Sequence, residues 1–110
     1  MSKLGPIAST ILYEDDEVRI WDQQLAPGEA TAAHHHANDY SLTDIDGDRI
    51  EVLPVEGAPN PHGLPAEGVV LPVTPRNCFS VPAGSTEIAR NTGDRRYRAI
   101  LVEFKSAAED

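Results

Sequence analysis

The chain contains no stretch of eleven or more residues with the apolar spacing of an amphipathic helix. Nine prolines and eight glycines divide it into short segments, and most of these alternate apolar and polar side chains as half-buried strands do. The segments predicted to be strands are 10–14, 18–25, 40–45, 49–53, 69–71, 78–81, 86–91 and 97–104. Turn-forming sequences lie between them, such as Asp-Gly-Asp at 46–48 and Thr-Gly-Asp at 92–94. The pattern predicts an all-β sandwich or barrel.

Length and charge limit the classes of protein that this chain can represent. Its 110 residues fit one domain. Eighteen acidic residues against nine Lys and Arg give a net charge of −9, which argues against nucleic acid and anionic membrane surfaces as partners. No apolar run approaches the roughly 20 residues that span a bilayer, and the single cysteine, Cys78, fits a reducing compartment. We therefore expect a cytoplasmic protein with no nucleic-acid or membrane partner.

Three consecutive histidines, 34–36, suggest a metal site. Side chains alternate across a strand, so His34 and His36 would point to one face and His35 to the other. Two imidazoles at that spacing can share one metal ion. The alternative is a solvated, polar strand end.

Residues around these histidines resemble the first motif of the cupin superfamily. That motif is a glycine, five residues, His-x-His, three or four residues, a glutamate, six residues and a glycine. The residues that match are Gly28, His34, His36 and Gly47. Tyr40 stands where the glutamate is expected.

The second cupin motif is also recognisable. It is a glycine, five residues, Pro-x-Gly, two residues, a histidine, three residues and an asparagine. The residues that match are Pro82, Gly84 and Asn91, whereas Arg76 replaces the opening glycine and Glu87 replaces the histidine. With similar flanking sequence, the resemblance covers about 18–105.

The resemblance implies an all-β fold of one domain, 1–110. Specifically, it implies a cupin jelly-roll β-barrel of two antiparallel sheets whose core lies at about 18–105. It also implies a homodimer, a small-molecule ligand or substrate in the barrel, and one divalent transition metal ion (Fe, Ni, Mn, Co or Zn).

The cupin metal is usually held by three histidines and a glutamate, and this chain departs at two of these places. Glu87 would make a third ligand beside His34 and His36. Two imidazoles and one carboxylate can occupy one face of an octahedron and leave positions open, as in non-haem Fe(II) oxygenases. The alternatives are weak binding by the two histidines alone, or a degenerate site that holds no metal.

Four side chains are candidates for a role toward a substrate. Glu87 and Tyr40 are the candidate catalytic residues, although Tyr40 can equally pack beneath the site. Arg98 shares a strand face with Ile100 and is predicted to enter the barrel mouth and bind an anionic substrate, unless it is a solvated strand end. His62 is either an acid or base over the site or a loop residue without chemistry.

Two functions of different class remain open. The first is a metal-dependent enzyme, of dioxygenase or isomerase/lyase type, that acts on a small polar or anionic molecule in the barrel. The second is a non-catalytic ligand- or metal-binding cupin with a degenerate site. The fold cannot decide between them, because cupins support many chemistries.

Overall fold

A computed structural model of the chain describes residues 4–105, and within this range the regular secondary structure is entirely β. The strands are β1 (Thr10–Glu14), β2 (Val18–Leu25), β3 (His34–His35), β4 (Tyr40–Asp46), β5 (Arg49–Pro54), β6 (Val69–Pro72), β7 (Cys78–Val81), β8 (Thr86–Arg90) and β9 (Tyr97–Phe104). None of the described residues belongs to a helix that is long and apolar enough to cross a membrane.

The strands form two antiparallel sheets. One has the order β1-β2-β9-β4-β7 and the other the order β3-β8-β5-β6. This arrangement confirms the predicted all-β cupin jelly roll. The predicted strands agree with the observed ones to within a residue at each end, and β3 adds a strand of two residues that was not predicted as a separate element.

The longest ladder, between β2 and β9, shows how the core is built. It runs without interruption from the pair Val18 and Phe104 to the pair Leu25 and Tyr97. On β9 the side chains of Tyr97, Ala99 and Leu101 are buried, and those between them are more exposed. Alternate residues of β4 and of β8 likewise share a face, and those that line the barrel cavity are Tyr40, Leu42, Asp44, Glu87 and Ala89.

The turn before β7 contains Arg76, which stands at the position of the opening glycine of the second motif. Arg76 has a φ of 72°, so it adopts the left-handed conformation that the motif's glycine reaches without steric cost. Its N–H donates to the carbonyl oxygen of Asp44 at 2.7 Å, and the Asn77 N–H donates to that of Thr74 at 3.0 Å. These bonds hold an arginine in a conformation that a side chain disfavours.

Arg76→Gly is expected to raise the free energy of unfolding by about 0.5–1 kcal/mol. A left-handed backbone costs an L-residue roughly 1–2 kcal/mol, and the greater freedom of glycine in the unfolded chain offsets part of the gain. Urea unfolding of the two proteins measures the difference. Arg76→Ala is the matched control, because it retains Cβ and should not stabilise the protein. An equal gain in both variants would show that the arginine side chain, rather than the backbone, is unfavourable.

Candidate metal centre and barrel cavity

Three predicted ligands, His34, His36 and Glu87, converge between β3 and β8. His34 lies directly opposite Glu87 in the ladder, so both side chains leave the sheet on the same face. His36 follows β3 and is fixed by two backbone hydrogen bonds. Its N–H donates to the Ser85 carbonyl oxygen (2.9 Å), and its carbonyl oxygen accepts from the Gly84 N–H (2.8 Å). One potential ligand atom from each of the three residues lies within 4.8 Å of the others.

The His34 ring is oriented by the backbone. Its Nδ1 lies 2.8 Å from the carbonyl oxygen of Ala32. Because a carbonyl oxygen can only accept, Nδ1 carries the hydrogen, and in the neutral ring Nε2 is then the nitrogen with a free lone pair. A hydrogen bond of this kind is what orients most metal-binding histidines in proteins.

The His36 ring is buried without hydrogen bonds in the part of the chain that the structure describes. Its Nδ1 has no partner there, and its Nε2 lies 3.8 Å from Oε2 of Glu87, which is too far for a hydrogen bond. Burial, with a smaller contribution from His34, lowers the pKa of His36 to about 3. The ring is therefore neutral at pH 7 and has a lone pair to offer.

Glu87 presents one free carboxylate oxygen to the two histidines. Oε1 accepts a hydrogen bond from the Ser85 hydroxyl at 2.9 Å, and Oε2 faces His36. Two neutral imidazole nitrogens and a carboxylate oxygen suit a first-row divalent ion. The metal that the sequence resemblance implies therefore fits these residues, which would hold it as a Lewis acid or redox centre. Occupancy by a metal stays a prediction.

Tyr40 packs against the cluster. Its ring stacks on that of His36, with centroids 4.2 Å apart and an angle of 19° between the planes. Burial, and then the charge of Glu87, raise the pKa of Tyr40 above its ordinary value, so the phenol stays protonated. This contact supports the packing role considered above, and a catalytic role stays a prediction.

A cavity of about 260 Å³ lies in the barrel beside the cluster. Most side chains that line it are apolar, including Leu42, Val52, Leu71, Phe79 and Val81. Glu87 belongs to its wall, and a smaller adjoining cavity shares Tyr40 and Glu87 with it and adds His34 and His36. The wall is more apolar than a pocket for a small polar or anionic molecule would require, and it favours a ligand with an apolar body.

Gln23 is a polar neighbour of the cluster that the sequence interpretation missed. It lines the smaller cavity with His34 and His36, and its Oε1 is buried with no hydrogen-bond partner among residues 4–105. The signal was present in β2, where Gln23 is buried between Trp21 and Leu25 at alternate positions. A polar residue in the inward-facing series of a strand is unusual enough to suggest a site.

The prediction that Arg98 enters the barrel is wrong. Arg98 follows Tyr97, which lines the cavity, so it points to the opposite face of β9. There its Nε donates to Oδ1 of Asp22 at 2.9 Å. Burial alone would raise the pKa of Asp22, but this bond and one from Gln24 lower it below its ordinary value. The ion pair accounts for Arg98 without a substrate.

His62 lies in the connection between β5 and β6 and does line the large cavity. Its Nε2 lies 3.1 Å from the carbonyl oxygen of Pro82, so this nitrogen carries the hydrogen. A role for His62 as an acid or base stays a prediction.

The jelly roll and its inward-facing histidines define the class of the protein, which is a cupin. Within that class, the chain belongs to the auxin-binding protein family, because the model of the family described as auxin binding protein matches residues 2–107.

Two curated relatives support this assignment. Auxin-binding protein T85 of Nicotiana tabacum is 27% identical over 87% of this chain and 50% of its own length. Auxin-binding protein 1 of Arabidopsis thaliana is 24% identical over 87% of this chain and 46% of its own. The chain thus spans about half the length of the curated relatives it matches.

Among solved structures, a cupin domain from Bordetella pertussis Tohama I superimposes with a TM-score of 0.74. The alignment covers 96% of this chain and 99% of that one at 21% sequence identity. At that identity the likeness establishes the fold.

Proposed function

We propose that the protein holds one divalent transition ion through His34, His36 and Glu87, and binds a small organic acid with an apolar body in the barrel. The observation that carries this proposal is the continuity of an apolar cavity with the His/Glu cluster. Ligand pockets in proteins are commonly apolar with a few polar groups that fix orientation. At about 260 Å³ the cavity suits a small molecule.

The charge of the cluster indicates which polar group the ligand carries. A dication held by two neutral imidazoles and one carboxylate keeps an excess positive charge, and three ligands leave coordination positions open. An anionic oxygen of the ligand would neutralise this charge and fill an open coordination position. In an apolar cavity the rest of the molecule gains from burial at roughly 25 cal/mol per Å² of apolar surface.

The relatives support binding rather than turnover. Both curated relatives are named for the binding of auxin. This chain spans about half their length, and we propose that it shares with them the binding of a small-molecule ligand.

A metal-dependent enzyme is the second candidate. The observation that favours it is the position of Glu87 and the protonated Tyr40, which line the same cavity beside the cluster. Open positions on iron would suit dioxygen chemistry, and a non-redox ion would suit an isomerase or lyase. Turnover of a bound acid, detected as the appearance of a product in its NMR spectrum, would favour this candidate over simple binding.

Zinc-loaded protein is expected to bind 3-phenylpropanoate at least tenfold more tightly than the chelator-treated protein does. The carboxylate would lose its cationic partner when the metal is removed, and tenfold corresponds to about 1.4 kcal/mol. Isothermal titration calorimetry measures both affinities. The neutral amide of the same acid is the control, and zinc should increase its affinity much less. Equal affinities with and without zinc would contradict the proposed metal–carboxylate contact.

The homodimer and the cytoplasmic location stay predictions. One feature supports pairing: β1, an edge strand, exposes Ile11, Leu12 and Tyr13 by 45%, 54% and 52%. Apolar side chains on an open strand edge favour addition of another chain.

A further inference from the structure

A second polar group, the carboxyl of Asp44, is buried at the end of the cavity that lies away from His34, His36 and Glu87. Tyr40, Leu42 and Asp44 are alternate residues of β4, and all three line the large cavity. Tyr40 and Leu42 also line the smaller cavity at the cluster, whereas Asp44 is absent from that wall. Four residues of strand separate Asp44 from Tyr40 by about 13 Å.

The backbone holds Asp44 firmly against the turn before β7. Its N–H donates to the Asn77 carbonyl oxygen at 2.9 Å, and its own carbonyl oxygen accepts from the Arg76 N–H at 2.7 Å. The Thr74 N–H donates to Oδ2 at 3.3 Å. The carboxyl group is therefore fixed in place before any ligand arrives.

The carboxyl group of Asp44 makes few polar contacts within the described residues. Asp44 is 2% exposed, and in the described range 4–105 the long bond from Thr74 is the hydrogen bond made to its side chain, with no ion pair to a Lys, Arg or His. Its neighbours on the cavity wall include the apolar Ile50, Leu71 and Phe79. Burial raises the pKa of Asp44 above its ordinary value. A buried polar group without a full set of partners costs free energy.

The hydrogen bond to the turn accounts for one of the two carboxyl oxygens of Asp44. The bond from Thr74 uses Oδ2, so Oδ1 has no part in it. Asp44 lines the apolar cavity, and a carboxyl oxygen there can accept a hydrogen bond whether the group is ionised or protonated, because the protonated group keeps acceptor capacity. Among residues 4–105 no group donates a hydrogen bond to Oδ1.

We infer that Asp44 accepts a hydrogen bond from an N–H or O–H group at the far end of the ligand. The ligand would then be an organic acid with an apolar body and a neutral donor remote from its carboxylate. Because Tyr40 packs against the cluster and about 13 Å of strand separates it from Asp44, the donor would lie at the end of the molecule remote from its carboxylate. The inference rests on the proposed function, since it assumes that the carboxylate binds at the cluster.

Two probes of equal shape test this inference on the zinc-loaded protein. They are 3-(4-aminophenyl)propanoate, which has a donor at its far end, and 3-(4-methylphenyl)propanoate, which has none. The amine is expected to bind about tenfold more tightly, because a site built for a hydrogen bond rejects a ligand that lacks it. Asp44→Leu should abolish the preference. Asp46→Asn is the matched control and should retain the preference. It changes another carboxylate of β4, which is half-exposed and paired with Arg95.

The outcomes separate this inference from the proposed function. If the native protein binds both probes equally, or prefers the methyl compound, the role of Asp44 is refuted and the binding of organic acids stands. If neither probe binds, both are refuted.

A second measurement decides the matter if Asp44→Leu does not fold. The carboxyl ¹³C resonance of Asp44 in the native protein should move on addition of the amine probe and hardly move with the methyl probe. Equal movement with both would also refute the inference.

Discussion

His34→Ala and His36→Ala are each expected to abolish metal retention, whereas His35→Ala should keep it. Removing either imidazole leaves one nitrogen and one carboxylate oxygen, too few ligands to hold a first-row ion through purification. The native protein should carry about one divalent ion per chain, measured by elemental analysis after purification without added metal.

His35 is a close control because it lies between the two ligands and has its own contact. Its Nδ1 lies 2.7 Å from the Thr86 hydroxyl oxygen, on the other side of β3. His35→Ala should therefore cost about 1 kcal/mol of stability and no metal. Equal loss of metal in all three variants would overturn the assignment of His34 and His36 to one face.

Glu87→Gln is expected to weaken metal binding by more than the roughly 10–100-fold that loss of an outer-sphere partner costs. The substitution keeps the volume of the side chain and removes the negative charge that would face the ion. Competition with a chelator of known affinity measures the change. Glu87→His should retain metal, because it restores the commoner cupin set of three imidazoles.

Ser85→Ala is the matched control for Glu87. It removes the hydroxyl that donates to Oε1 and leaves the carboxylate in place. Its effect should stay within the roughly 10–100-fold that loss of an outer-sphere partner costs, and so below that of Glu87→Gln. Full metal occupancy in Glu87→Gln under the same competition would show that Glu87 is no ligand, and unchanged occupancy in every variant would show that the ion binds elsewhere.

The all-β architecture was predictable from local rules, and the resemblance of the two motifs to those of cupins implied the jelly roll. Alternation of apolar and polar residues marks each strand, and turn-forming residues mark its ends. The cluster was accessible for a related reason. The spacing of His34 and His36 turns both to one side of the extended chain at β3, and the second motif places Glu87 in β8, the strand that pairs with β3.

The error at Arg98 has a physical cause in β9. Both faces of this strand carry apolar residues: Tyr97, Ala99 and Leu101 on one, and Ile100, Val102 and Phe104 on the other. Alternation then tells which residues share a face but not which face is inside. That choice depends on the neighbouring strands and on the Asp22 carboxylate, whose contact with Arg98 spans 76 residues of sequence.

Asp44 could not be assigned to the cavity from local pattern for a similar reason. An aspartate in a strand ordinarily faces solvent. Its burial results from packing between the two sheets, and this depends on contacts between distant parts of the chain. The turn at Arg76 illustrates the same limit, because a non-glycine residue in a left-handed conformation has no local signature.

An anomalous difference map of zinc-loaded crystals, recorded on both sides of the zinc absorption edge, tests the central claim most directly. The map locates the ion itself, which matters in a chain with 18 acidic residues that could bind zinc elsewhere. We expect the strongest peak among His34, His36 and Glu87, at roughly 2.0–2.2 Å from their ligand atoms. A map with no peak there, or with its strongest peak at another group of carboxylates, would contradict the account.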